Sequence, residues 1–317
     1  MPRRAFISLV LGVTGNVNAD AGVGVRIPIK KVVTWNKEVR AFVSPRSIRR
    51  GIRERLAEKG FRVDPLTTQK GQLTDVGDPI LYADDDLFGY LAPEKGKGEV
   101  QPSRSGPVKV SPLIALHHTE ISVEFAGRFP RNDMSDEAPE ANPVPFEVET
   151  AKWLGGMHVI INERVGRFRE DELTKDVLQK IKDYSKLVSK KDGYYELKEE
   201  ERAARLRALL EILLKEGWSF PRGSEAESVP EYHYAIVLLS ESFIPTPNVL
   251  RMDENLNLDV EAVKRALDLY SWDEGFIIDY REGRIYRMGD EGVEELELKG
   301  DSMNDVIEAV TTYLLRS

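Results

Sequence analysis

The chain has 317 residues, with 45 Lys and Arg against 54 Asp and Glu, four His, no Cys and 41% hydrophobic residues. That is enough for one large or two ordinary domains with cores of their own. Without cysteine there is no disulfide framework, thiol nucleophile, iron–sulfur cluster or cysteine-ligated zinc. The longest apolar run, Phe6 to Val13 interrupted by Ser8 and Gly12, is too short to span a bilayer, and no signal-type cleavage segment follows it. The expectation is a cytoplasmic protein with no membrane association.

The net charge of −9 hides an asymmetry. Residues 1–60 hold 13 Lys or Arg against 4 Asp or Glu, whereas the remaining 257 residues hold 32 against 50. A basic region thus sits on an acidic body, and a local basic field steers phosphates even when the whole molecule is anionic.

In chain order, Ala5 to Val13 alternates Phe6, Ser8, Val10 and Gly12 with Ile7, Leu9, Leu11 and Val13, which predicts a central strand. The glycines and Asx residues from Gly12 to Gly24 predict a loop. It has neither the Gly-Lys-Ser/Thr ending of a phosphate loop nor a dinucleotide fingerprint. Val32 to Val43 predicts a strand or hairpin. Ser44-Pro45 then reads as N-cap and first helical residue of a helix that runs to Lys59 and stops at Gly60. Ile48, Ile52 and Leu56 form its buried stripe. At roughly 100° per residue, Arg46, Arg49, Arg50 and Arg53 cluster on a side turned away from that stripe.

Short pieces and loops alternate from Gly60 to Phe125, with a Gly-, Pro-, Lys- and Ser-rich stretch from Pro93 to Pro107. Leu113 to Phe125 reads as extended, and Met157 to Val165 as a strand. Four prolines and an acidic run between them predict a protruding hairpin between Phe125 and Trp153. Helices are predicted over Leu173–Val188 and over Leu197–Lys215, the latter ended by Gly217. A buried strand at Tyr234–Ser240, a helix at Val260–Tyr270, a hairpin at Gly275–Met288 turning on Glu282-Gly283 and a helix at Asp301–Leu315 complete the chain. Irregular alternation with antiparallel hairpins favours an α+β fold over a doubly wound parallel sheet.

The run Ser44-Pro45-Arg46-Ser47-Ile48-Arg49-Arg50-Gly51-Ile52-Arg53 carries the most specific chemistry. A helix start offers free amides and a positive dipole end, and arginine forks match phosphate oxygens. Such a device holds a nucleic-acid backbone without reading bases. On residues alone, a solvated helix face stays open beside phosphate binding.

Phe42-Val43-Ser44-Pro45-Arg46-Ser47-Ile48-Arg49-Arg50 is followed by Asp86-Leu87-Phe88-Gly89-Tyr90 and then by Ser111-Pro112-Leu113-Ile114-Ala115-Leu116. In that order they resemble the DevR-type backbone subunits of type I CRISPR interference complexes, Cascade-like members of the RAMP superfamily. The resemblance is sharpest over 42–53 and 84–128. It implies an RNA-recognition-like (ferredoxin-like) palm from residues 1–60, about 108–128 and 155–317, with a finger insertion at about 61–107 and a thumb at 129–153. It also implies a non-catalytic subunit that self-associates in a helical filament along a guide RNA, beside other subunits of the complex, and presents the guide to target DNA. On that resemblance Arg46, Arg49, Arg50 and Arg53 grip the guide backbone. The loop holding Asn16, Asn18 and Arg26 lies beside it, Lys95, Lys97 and Arg104 belong to the finger side, and Arg222 is a further contact. No cofactor or metal is implied.

The rival is a metal- or histidine-dependent ribonuclease of the same superfamily, for which Asp20 and His117-His118 are the candidates. A lone carboxylate in a loop suits a turn, and adjacent residues on a strand face opposite ways. Asp84-Asp85-Asp86 resembles a metal cluster only superficially, since three consecutive carboxylates fan apart; helix capping ahead of Leu87 is the expected role.

Overall fold

A computed structural model describes residues 1–19, 24–69, 71–92, 102–128, 144–220, 228–289 and 292–316. The first strand, β1 (Arg4–Gly15), is followed by β2 (Arg26–Ile27) and the hairpin β3 (Lys31–Val33) and β4 (Val39–Val43), and then by helix α1 (Pro45–Glu58). A hairpin, β5 (Thr67–Gln69) and β6 (Gln72–Thr74), precedes α2 (Ala83–Phe88), which runs into β7 (Gly89–Leu91). Next come β8 (Ser103–Ser105), β9 (Val108–Val110), β10 (Leu113–Ala115), β11 (Ser122–Arg128) and the long β12 (Val144–Asn162). An excursion holds β13 (Arg167–Arg169), α3 (Lys175–Gln179), β14 (Val188–Lys191) and β15 (Tyr194–Leu197). The chain ends with α4 (Glu199–Glu211), β16 (Glu231–Ser240), α5 (Val260–Leu267), β17 (Glu274–Asp279), β18 (Arg284–Gly289), β19 (Gly292–Glu297) and α6 (Gly300–Leu315).

Among the described residues one 12-stranded sheet dominates, in the order β19-β18-β17-β16-β1-β12-β10-β4-β3. β1 lies at its middle, antiparallel to β12 (Ile7 opposite Val159) and to β16 (Ile7 opposite Val237). Both faces of β1 are therefore buried, as a run apolar on both sides apart from Ser8 and Gly12 requires. Ile7, Leu9, Leu11 and Val13 pack with Ile48, Ile52 and Leu56 of α1, the leucines of α4 and the apolar face of α6. Phe6 turns the other way, against Ile236, Leu238 and a cover made by Ile244, Val249, Val263 and Leu267. The α1 stripe is fully buried, and each of its three side chains contributes about 1.5–3 kcal/mol of apolar burial.

The sheet is mixed with helices in an α+β arrangement, and its ladders are antiparallel apart from the short β2–β12 pairing. α1 follows the expected design: Ser44 caps it through a bond from the Ser47 amide, Pro45 sits in the first turn, and Gly60 leaves it with φ +88°. Gly51 lies mid-helix, a costly place, because a Cβ there would stand 2.6 Å from the Ser219 carbonyl. β12 continues past the sheet and pairs with β11, residues 144–150 against 122–128, forming the base of the expected hairpin; residues 129–143 lie outside the described set.

The predicted helix over 173–188 is only α3, and tight turns over 180–187 carry the chain into β14. Leu173, Val177, Tyr184 and Val188 bury against Phe168 and Ile80 in a small satellite core. That core holds these side chains without a four-turn helix, because local propensity yields to packing. The β14–β15 hairpin turns on Asp192 and Gly193, both with positive φ, so Asp-Gly was a legible hairpin signal.

Candidate nucleic-acid interface

α1 brings Arg46, Arg49, Arg50 and Arg53, four of its five arginines, to one side but leaves them differently engaged. Arg46 is exposed and forms no ion pair among the described residues. Arg50 meets Glu54 at 3.0 Å yet keeps a side chain 75% exposed, so that pair is weak and easily exchanged for a phosphate. Arg49 lies back along the helix with Nε 3.4 Å from the Pro45 carbonyl. Partial burial, then Arg53 and Arg46 beside it, lowers the pKa of its guanidinium. Arg53 is the most committed: its Nε is 2.8 Å from Asp84 Oδ2, and its guanidinium lies 5.2 Å from the Phe88 ring centre.

Two cations absent from the sequence reading extend this field. Lys109 on β9 donates to Ser105 Oγ at 2.7 Å, and burial together with Arg49, Arg164 and Arg104 lowers its pKa. Arg164, just past β12, is the link on its far side. Arg53 and Arg164 have acid partners, but Arg46, Arg49 and Lys109 between them have none among the described residues, and repulsion within this row leaves a positive potential that a chain of phosphates relieves. The alternation Val108-Lys109-Val110 marked a strand, but nothing local indicated that Lys109 would face α1.

Several predicted contacts are structural instead. Arg104 is a correction: it is buried, with Nη2 2.7 Å from Asp86 Oδ1 and Nη1 3.1 Å from Glu172 Oε2, and it also donates to the carbonyls of Asp86, Arg164 and Arg167. All of its donor-bearing nitrogens are engaged, so no phosphate can reach it. The close approach is possible because Gly89, at φ +78°, puts no Cβ where the Arg104 carbonyl lies; one would stand 2.1 Å away. Asn16 and Asn18 are likewise buried. Asn16 donates to the Glu149 carbonyl at 2.7 Å, whereas Asn18 donates to the Phe42 carbonyl and accepts from Ser47 Oγ at 2.7 Å. Asn16 therefore fastens the loop to β12 and Asn18 fastens it to the start of α1, so neither amide faces a ligand. Arg26 has one edge on Glu149 at 2.9 Å and remains half-exposed. Burial would raise the Glu149 carboxyl, but Lys31, the Ile29 amide and Arg26 outweigh it and hold the carboxyl below its usual range. Lys95, Lys97, Arg222 and Asp20 lie outside the described residues.

The three aspartates of α2 do fan apart, but they do not cap the helix; its N-cap residue is Tyr82, with no side-chain cap bond. Asp84 takes Arg53 and the Asp64 amide. Asp86 takes Arg104, Arg205 at 3.0 Å and the Gly166 amide. Asp85 joins Asp64 and Asp75, whose carboxylate oxygens come within 4.8 Å of one another. Burial, then Asp64 and Asp84, pushes Asp85 up to about 9, so it is protonated at neutral pH. Asp64 accepts from the amides of Leu66, Val76 and Gly77. This trio is the described group best able to gather a cation, yet a proton and five backbone amides, those of Asp78 and Leu91 included, already balance it.

His117 and His118 sit in the bend after β10 and not on a strand. The Leu154 amide donates to His117 Nε2 at 3.2 Å and its Nδ1 lies 2.7 Å from the His118 carbonyl; the Val39 amide donates to His118 Nδ1 at 3.3 Å. Both rings brace backbone at the sheet edge.

The model of the family described as "CRISPR-associated negative auto-regulator DevR/Csa2" matches residues 19–257. A solved chain titled "CRISPR RNA-guided surveillance complex, pre-nicking" superposes with a TM-score of 0.58 at 12% identity, covering 97% of this chain and 100% of that one. Another, titled "CRISPR RNA-guided surveillance complex", gives 0.50 at 13% identity, over 96% and 99%. At these identities the likeness is one of fold. No curated protein matches the chain. With most of its length inside the family match, the chain belongs to the DevR/Csa2 family of CRISPR-associated proteins.

Proposed function

We propose that this protein is a non-catalytic, guide-RNA-binding backbone subunit of a CRISPR interference complex. Copies would assemble in a helical filament along the guide, beside other subunits, and present it to target DNA. The observation that carries this reading is the row of Arg46, Arg49 and Lys109, which have no carboxylate partner among the described residues, flanked by Arg50, Arg164 and Arg53, each paired with one acid. It offers forks and point charges to a phosphate chain and nothing arranged for base edges. Sequence-independent holding is what a carrier of arbitrary guides requires.

The strand order supports a ferredoxin-like palm: β16-β1-β12-β10, with α1 between β1 and β10 in the chain and α4 between β12 and β16. The sheet face opposite α1 is covered by the segment containing α5, which leaves no aromatic platform at its centre and favours gripping over stacking. Residues 61–107 would form the finger, and the β11–β12 arm would lead into a thumb at 129–153. The engagement of His117 and His118 with backbone supports a non-catalytic role. No described helix is long and apolar enough to cross a membrane, which suits work in the cytoplasm.

Filter binding of single-stranded RNA over a salt series tests the reading. Each neutralised phosphate contributes about −0.7 to the log–log slope, so several contacts give a steep line, and a flat one overturns the proposal. Affinity should not depend on RNA sequence.

A further inference from the structure

A cavity of about 350 Å³ opens at one end of the central strands, where the start of β1 meets the end of β12 and the β13–β15 ladder. Its walls include Arg4, Asn162, Glu163, Arg164, Arg167 and Tyr194. Three guanidiniums in so small a space repel one another unless an anion joins them.

Each is held by one side and left open on another. Arg4 donates through Nη1 to the carbonyls of Pro2 and Glu241, at 3.2 and 3.0 Å, and lies 5.9 Å from the Phe243 ring centre. Arg164 pairs through Nη2 with Glu172. Arg167 stacks on Tyr194 at 5.0 Å, and its buried Nε makes no hydrogen bond, standing 3.8 Å from the nearest carboxylate oxygen, of Glu196. A buried charged donor without an acceptor is costly to leave unmade. The one acid in the wall, Glu163, is turned to Arg3, whose Nε is 3.2 Å away.

The turn that presents Arg164 and Arg167 is rigid from beneath. Buried Arg104 donates to both of their carbonyls, at 3.0 and 2.9 Å, and Asp86 accepts from the Gly166 amide between them. Fixed forks around an open concavity are the arrangement that recognises phosphate or another tetrahedral oxyanion.

We propose that the cavity bounded by Arg4, Arg164 and Arg167 is a phosphoryl-anion site, distinct from the α1 face. Its ligand is either free phosphate or the terminal phosphate of a nucleic acid. Arg4 and Arg167 belong to this site alone, so it stands or falls independently of RNA binding along α1.

The test uses the full chain and inorganic phosphate, followed by titration calorimetry at low salt. Saturable binding is expected in the wild type, weakened on the order of tenfold or more in Arg4→Gln with Arg167→Gln, and unchanged in Arg49→Gln. Arg4→Gln alone removes only a guanidinium bonded to carbonyls; it guards against a folding defect and should also weaken binding, whereas full affinity in it overturns the proposal. So does absence of saturable phosphate binding in the wild type, or its survival in the double variant. A second arm compares short RNAs bearing a 5′-phosphate or a 5′-hydroxyl. A preference for the phosphate that disappears in the double variant identifies a nucleic-acid terminus as ligand. Equal RNA affinities alongside intact phosphate binding identify the free anion, and either outcome supports the site.

Discussion

The arginines of α1 and those around Asp86 are the same side chain put to opposite uses. Arg46, Arg49 and Arg50 stand on a helix face with most donors open, whereas Arg104 and Arg205 are buried with their donors divided among carboxylates and carbonyls. Arg205 bridges the carbonyls of Pro79 and Ile80, both at 2.8 Å, to Asp86. The difference teaches that arginine content says little until donors are counted. A guanidinium already matched inside the fold is scaffold, and one that repels its neighbours awaits an outside anion. The inner group serves the outer one, since Arg104 and Asp86 hold the turn that carries Arg164.

The largest effect should come from the inner group. Arg104→Ala strips buried Asp86 and Glu172 of a guanidinium that bridges them, leaving them to Arg205 and Arg164, and breaking such a buried pair costs about 3–5 kcal/mol. Denaturant unfolding should show that loss, and a drop below about 1 kcal/mol would mean that Arg104 is not the hub described.

On the outer group, Arg49→Glu with Arg50→Glu should lower RNA affinity for every sequence alike, by about 2–3 kcal/mol, and flatten the salt slope. Thermal stability should move by only a few degrees, because Arg50 is exposed. Loss confined to one RNA sequence would replace backbone holding with base readout.

Arg53 sits between the groups, and Arg53→Ala should do some of both: about 1–2 kcal/mol of stability, from the Asp84 pair and the Phe88 contact, and a several-fold loss of RNA affinity. If only one changes, the boundary between scaffold and surface runs elsewhere.

The smallest effect concerns pH. Asp85 is raised to about 9 in the fold, so the native state keeps a proton that the unfolded chain has released, and stability falls as pH rises from about 4 toward 9. His158, lowered to about 4 by burial, acts in the other direction: the unfolded chain binds a proton below about 6.5, and stability falls as pH drops from there toward 4. Asp85→Asn should flatten the alkaline limb and raise the midpoint at pH 8 by a few degrees. Melting curves across pH check this, and an unchanged alkaline limb would mean that Asp85 is not the titrating group.

Much of the frame was legible because its signals are local. The alternation of β1, the Ser44-Pro45 start and Gly60 end of α1, and the Glu282-Gly283 turn all depend on residues a few positions apart, and each appears as expected. The 173–188 segment misled because its apolar spacing fits a helix, whereas its buried side chains answer to Phe168 and Ile80 from other elements.

The chain's own chemistry settled that a basic helix with an apolar stripe would follow a buried strand, since capping, periodicity and charge act over single turns. Which cations face outward was settled by folding. Arg104 and Arg46 are indistinguishable as letters, and only the arrival of Asp86 and Glu172 from 18 and 68 positions away neutralises the first, while Lys109 joins the row because β9 is laid beside α1. Electrostatic partnership depends on distance in space, and that distance exists only after the sheet has assembled.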